Sequence, residues 1–154
     1  MKKRGGGGYS YKKYRRGVFC VVYTKKPLLY LLLHRIWHWK GWEFCKGGVK
    51  GNEKLETTAI REVKEETGLD VINLKRFPVK GSFIYDPMTQ RERKVKGFSY
   101  VLFACEVKRG KVKLEKKEHD GYVWAEFKKA LKLLTWPERK KCLKIVHEWL
   151  KKKK

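Results

Sequence analysis

The 154-residue sequence predicts an α/β fold, a mixed β-sheet sandwiched between helices as an α/β/α sandwich. Three observations predict it. Two apolar runs, the first rich in β-branched residues, precede an early segment of helical period, two longer strand-like runs, the second alternating, follow that segment, and the end of the chain is helical again.

Residues 1–17 (MKKRGGGGYSYKKYRRG) are expected to form a flexible basic arm, with four successive glycines, seven Lys/Arg and interleaved Tyr9, Tyr11 and Tyr14. The domain proper is expected over residues 18–150. Residues 18–24 (VFCVVYT) and 28–33 (LLYLLL), separated by Lys25-Lys26-Pro27, form a hairpin of buried strands. An aromatic-rich piece, residues 34–44 (HRIWHWKGWEF), leads into a glycine loop and then a helix from about Glu53 to Thr67. Residues 71–85 and 96–107 are the longer strands, and residues 86–93 (DPMTQRER) between them are expected to be a polar loop facing a substrate. A short strand at 121–125 (GYVWA) precedes helices at 127–134 and 137–150. Thr135 and Glu138 have capping-box spacing for the last helix, whose buried stripe is Cys142, Ile145, Val146, Trp149 and Leu150. Residues 151–154 are a lysine tail.

Composition narrows the function classes. No run of eighteen apolar residues occurs and no secretory signal is visible, so cytoplasm is the expected compartment and no membrane the expected context. Cys20, Cys45, Cys105 and Cys142 are widely spaced, without a C-x-x-C pair, and read as reduced thiols. Lys+Arg number 40 against 16 Asp+Glu, a formal charge of +24. Six of those acids (Glu53, Glu56, Glu62, Glu65, Glu66, Asp70) fall between positions 53 and 70. An acidic pocket inside a basic shell suits a polyanionic substrate, because the shell attracts phosphates and metal ions in the pocket receive them.

The most informative segment is GGVKGNEKLETTAIREVKEETGL, from Gly47 to Leu69. Glu62, Glu65 and Glu66 are three and four apart, so three carboxylates crowd one side of a helix beside a narrow apolar stripe of Ala59, Ile60 and Val63. Like charges at that spacing repel, and they sit in the last turns before a C-cap at Gly68, where the helix dipole prefers cations. A bound hard cation would reverse both penalties. The alternative, a solvated acidic face, does not account for the glycine loop, Arg61 and Gly68 all falling in register.

The segment fits G-x5-E-x7-R-E-U-x-E-E-x-G-U, with U a bulky aliphatic, at Gly47, Glu53, Arg61, Glu62, Val63, Glu65, Glu66, Gly68 and Leu69. On those residues the chain resembles the Nudix hydrolases, which implies the Nudix fold and a metal-dependent pyrophosphohydrolase. Residues 42–49 (WEFCKGGV) are similar to the W-x-x-P-K-G-H-V stretch of diadenosine tetraphosphate hydrolases, with Cys45 for the proline and Gly48 for the histidine. RNA 5′-pyrophosphohydrolases share a related P-K-G. Residues 118–124 (EHDGYVW) look like the E-H/F-x-x-Y/W-x-W segment of both groups.

The resemblance implies that Glu62, Glu65, Glu66 and Glu118 hold Mg²⁺ or Mn²⁺, hard cations suited to oxygen ligands. It also implies that Glu62 or Glu118 is the general base, that Arg61 orients the carboxylates with Glu53 in support, and that Lys46 reaches substrate phosphate. Trp42 and Tyr122, each adjoining a motif, are the preferred base-stacking pair. Tyr85, Tyr100, Trp37 and Trp39 are further candidates, and Trp124 reads as core. His34, His38 and His119 lack ligand spacing, with His119 at most framing the site.

Three functions compete. The first is hydrolysis of dinucleoside polyphosphates. The second is removal of pyrophosphate or a cap from RNA 5′ ends, which the arm, the tail and the charge favour. The third is a non-catalytic RNA- or ribosome-binding protein, against which the intact acidic motif argues. Monomer and dimer are equally compatible with the sequence.

Overall fold

The computed structural model describes residues 11–153. Among them are seven strands and four helices: β1 (Tyr14–Thr24), β2 (Leu29–Arg35), β3 (Gly41–Glu43), β4 (Cys45–Gly48), α1 (Leu55–Thr67), β5 (Val71–Ile84), α2 (Pro87–Arg93), β6 (Gly97–Val107), β7 (His119–Ala125), α3 (Phe127–Leu133) and α4 (Pro137–Lys152). The strands form one mixed sheet in the order β3-β2-β1-β6-β5, with β4 added to β1 and β7 to β2. β1 runs parallel to β6, from Tyr14 opposite Gly97 to Tyr23 opposite Glu106. The other pairings are antiparallel.

Strand alternation divides the core into two layers. Val18, Cys20 and Val22 of β1 pack with Leu55, Ala59 and Val63 of α1. Phe19, Val21 and Tyr23 pack with Ala130 of α3 and with Cys142, Leu143, Val146 and Leu150 of α4. A sheet covered on both faces requires nearly continuous apolar strands, which is why β1 and β2 read as unbroken apolar runs. All four cysteines are free and buried. No helix among the described residues is long and apolar enough to cross a membrane.

Several local expectations are corrected. β1 starts at Tyr14, so residues 14–17 of the expected arm are strand, while residues 1–10 lie outside the described residues. Residues 87–93 form helix α2 and not a loop: Asp86 caps it by accepting from Thr89, and Pro87 stands at its first turn. α4 has no side-chain cap and extends to Lys152, through part of the expected tail. Thr135 instead accepts the Trp42 N–H at 2.9 Å. Ile60 is 45 % exposed, and Leu55 and Thr58 replace it on the buried face of α1. Gly68 closes α1 in the left-handed region (φ 77°), as its position after the helix predicts.

Candidate active site

α1 lies against β1 and β4, and this packing brings its acidic face under the glycine loop. Glu53, in the turn before the helix, accepts from Arg61 through both oxygens, at 2.6 and 2.9 Å. It also accepts from the Lys50 N–H at 3.0 Å and the Thr58 hydroxyl at 2.9 Å. Arg61 then reaches the Gly48 carbonyl (2.8 Å), Glu62 (3.0 Å) and Glu65 (3.1 Å). A planar guanidinium with five donors can hold all these groups at once, tying loop to helix and orienting two carboxylates.

Lys46, Glu62, Glu65, Glu66 and Glu118 line one pocket of about 410 Å³, together with Arg15, Trp37, Gly47, Arg93, Phe98, Glu115 and Lys117. Glu66 is buried and accepts the Lys46 backbone N–H at 3.2 Å. Burial, and then the charges of Glu43, Glu118 and Glu62, push its pKa well up. Burial also raises Glu62, against the opposing hydrogen bond from Arg61. The Lys46 amine is lowered to about 8, because burial outweighs the attraction of Glu43. Glu65 stays half exposed.

Behind the pocket is a buried ionic network. Glu43 (1 % exposed) accepts from Arg35 at 3.0 Å and lies 2.7 Å from His119, and Arg35 also approaches Glu118 at 3.5 Å. Burial would raise the Glu43 pKa, but Lys46, His119 and Arg35 overcome it and hold the carboxyl at about 2.

A second cleft of about 350 Å³ adjoins the acidic pocket and shares Lys46 and Arg93 with it. Its walls include Trp39, Phe83, Tyr85 and Trp136, with Arg35, Asp86 and Arg139 among the polar groups. Arg93 sits between two rings, 5.6 Å from the centroids of Trp37 and Tyr85. Among the described residues no carboxylate pairs with it at salt-bridge distance.

The structure therefore brings together Lys46, Arg61, Glu62, Glu65, Glu66, Glu118 and, through the second cleft, Tyr85. It does not bring Trp42 or Tyr122 there. Trp42 packs against His34 (centroids 5.0 Å apart), and Tyr122 is 45 % exposed on β7. Neither lines either cavity. Tyr100 stacks on Phe19 in the core. Trp37 and Trp39 do line cavities. Arg93, Arg35 and Trp136 are additions that no motif marked; the polar run before Arg93 was the sole hint.

The donors fit a hard divalent cation. Four carboxylates line one pocket and all offer oxygen; Glu66 and Glu118 place ligand oxygens within 4.8 Å of each other, and Glu62 and Glu66 have raised pKa values that a nearby cation would relieve. Gly47 is required at the edge of this set, because a Cβ there would collide with the Glu62 carboxylate. Gly47→Ala is accordingly expected to displace Glu62 and, on the catalytic role proposed for Glu62 below, to lower kcat by about 10²-fold, the cost of a displacement of roughly 1 Å. Steady-state kinetics beside a circular-dichroism melt checks this, since the melting temperature should move little.

The NUDIX domain profile matches residues 13–144, most of the chain. The chain belongs to the NUDIX family, a family of hydrolases that cleave phosphoric anhydride bonds in nucleotide derivatives. Solved structures agree on the fold. A Listeria monocytogenes protein described as a NUDIX hydrolase superposes with a TM-score of 0.72 at 24 % identity, over 89 % of this chain and 94 % of its own. The E. coli dihydroneopterin triphosphate pyrophosphohydrolase gives 0.71 at 22 % identity, over 86 % and 95 %. A C. elegans Ap4A hydrolase gives 0.64 at 25 % identity, over 87 % and 97 %. No curated protein matches the chain by sequence.

Proposed function

We propose that this protein is a Mg²⁺- or Mn²⁺-dependent pyrophosphohydrolase of dinucleoside polyphosphates, of the diadenosine tetraphosphate kind. One observation carries the reading: an acidic pocket and an aromatic cleft adjoin and share two cations, Lys46 and Arg93. A nucleobase stacks among Tyr85, Trp39 and Trp136, the phosphate chain passes Arg93 and Lys46, and the phosphorus to be attacked lies over the carboxylates.

Glu62, Glu65, Glu66 and Glu118 hold the metal in this reading. A bound ion would lower the pKa of water and neutralise charge growing on the bridging oxygen. Arg61 keeps Glu62 and Glu65 aimed into the pocket. Glu62, held by Arg61 at 3.0 Å, takes the proton from the attacking water. Lys46 and Arg93 bind the phosphates and set which phosphorus reaches Glu62.

The test is chromatographic. Purified protein with Mg²⁺ receives diadenosine tetraphosphate and, separately, 5′-triphosphate RNA. ATP plus AMP from the dinucleotide, with RNA untouched, supports the proposal. Preferential release of phosphate or pyrophosphate from RNA replaces it with the second reading, which the formal charge of +24 favours. Binding of RNA without turnover of either substrate replaces both with a non-catalytic binder. Arg93→Ala is expected to raise KM for the dinucleotide by about tenfold, the worth of one charge-assisted hydrogen bond, with kcat nearly unchanged.

A further inference from the structure

His119 is completely buried beside Glu66 and Glu118. Its Nε2 lies 2.7 Å from Glu43 Oε2, and the same oxygen accepts from Arg35. Glu43 is ion-paired with Arg35 through that oxygen and a carboxylate so paired only accepts, so Nε2 carries the hydrogen. In the neutral ring Nδ1 then keeps a bare lone pair. That atom is buried and has no hydrogen-bond partner. A polar atom left unmet in the interior bears its full desolvation penalty unless something fills it. A ring nitrogen of His119 and carboxylate oxygens of Glu66 and Glu118 lie within 4.8 Å of one another.

We infer that His119 is a nitrogen ligand, through Nδ1, to a divalent ion held by Glu66 and Glu118, with Glu43 orienting the ring from behind. A carboxylate gripping the far nitrogen of a metal-binding imidazole fixes its tautomer and raises its basicity. The inference rests on the reading of Glu66 and Glu118 as metal ligands and adds selectivity to it. An imidazole nitrogen among carboxylates shifts preference from Mg²⁺ toward Mn²⁺, Co²⁺ and Zn²⁺. The second carboxylate oxygen of Glu43 also lacks a hydrogen-bond partner, so the network fixes the ring through one oxygen.

The experiment uses the full chain with substoichiometric Mn²⁺ and reads nitrogen coupling to the bound ion by electron spin echo modulation. Nitrogen modulation that changes when the protein is grown on isotope-labelled histidine is the expected result. His119→Gln keeps a donor for Glu43 and removes the Nδ1 lone pair. It should abolish the modulation and weaken Mn²⁺ binding by about tenfold. Mg²⁺ binding, which depends on oxygen ligands, should change by less than about twofold. Bound Mn²⁺ without histidine nitrogen overturns this inference and leaves the carboxylate site standing. No Mn²⁺ bound at all overturns both. If His119→Gln does not fold, the labelled wild-type spectrum decides alone.

Discussion

Glu66→Gln is expected to lower kcat by about 10³-fold, because in the proposed reading it weakens a metal site whose charge neutralisation is worth several kcal/mol in the transition state. The same substitution should raise the melting temperature of the metal-free protein. Glu66 is buried and faces Glu43, Glu118 and Glu62, and its raised pKa records the strain of ionising it there. Glutamine removes the charge and keeps an oxygen for the Lys46 N–H. Function and stability thus move in opposite directions at one residue. The folded Glu66 keeps its proton after the unfolded chain has lost it near pH 4.3, so with chelator present stability falls as pH rises from there through the raised folded value. Glu62 adds a contribution of the same sign. Thermal melts across that range, with EDTA or Mg²⁺, check the prediction. Mg²⁺ should stabilise wild type and leave Glu66→Gln nearly unmoved. Full activity in Glu66→Gln would remove Glu66 from the metal set.

The contrast between Glu66 and Glu43 also shows what the sequence made legible. Glu62 and Glu66 follow from helical period alone, since residues four apart share a face. The fold follows from the order of apolar runs around that helix. The supporting role of Glu53 and the candidacy of Glu118 came from the family pattern, and the geometry has Glu53 hydrogen-bonded to Arg61 and Glu118 in the pocket.

The network behind the pocket was not legible, for a topological reason. β2 pairs with β3 on one edge and β7 on the other, setting Leu33 opposite Glu43 and Arg35 opposite His119. Residues 76 positions apart meet only through that register. Strand parity also explains the misplacement of Trp42. It and Glu43 are neighbours in β3, so their side chains take opposite faces, and the buried charge went inward. Helix α2 was missed although Asp86-Pro87 is a helix-start signal, because its seven residues, five of them polar, lack an apolar period.

The largest expected stability effect is at Glu43. Glu43→Gln leaves Arg35 and His119, both nearly or wholly buried, without their anion, and removes the charge that faces Arg139 at 4.0 Å. Breaking one member of a buried ion pair costs about 3–5 kcal/mol. For a chain of this length that is a drop in melting temperature of roughly 10 °C. A cavity cannot be the cause, since glutamine has nearly the same volume. Adding Arg35→Met to Glu43→Gln removes the orphaned guanidinium and should restore part of the loss, giving a coupling term in a double-mutant cycle. Acid adds a second signature. Because the folded carboxyl is held at about 2, its contribution is complete above the unfolded value near pH 4.3 and is lost as pH falls toward 2. Glu43→Gln should flatten that acid limb, whereas Glu66→Gln flattens the limb above pH 4.3. Two neighbouring glutamates, the charge of Glu43 raising the pKa of Glu66, therefore pull stability in opposite directions with pH: Glu43 has buried cations to balance it, and Glu66 faces mainly other carboxylates.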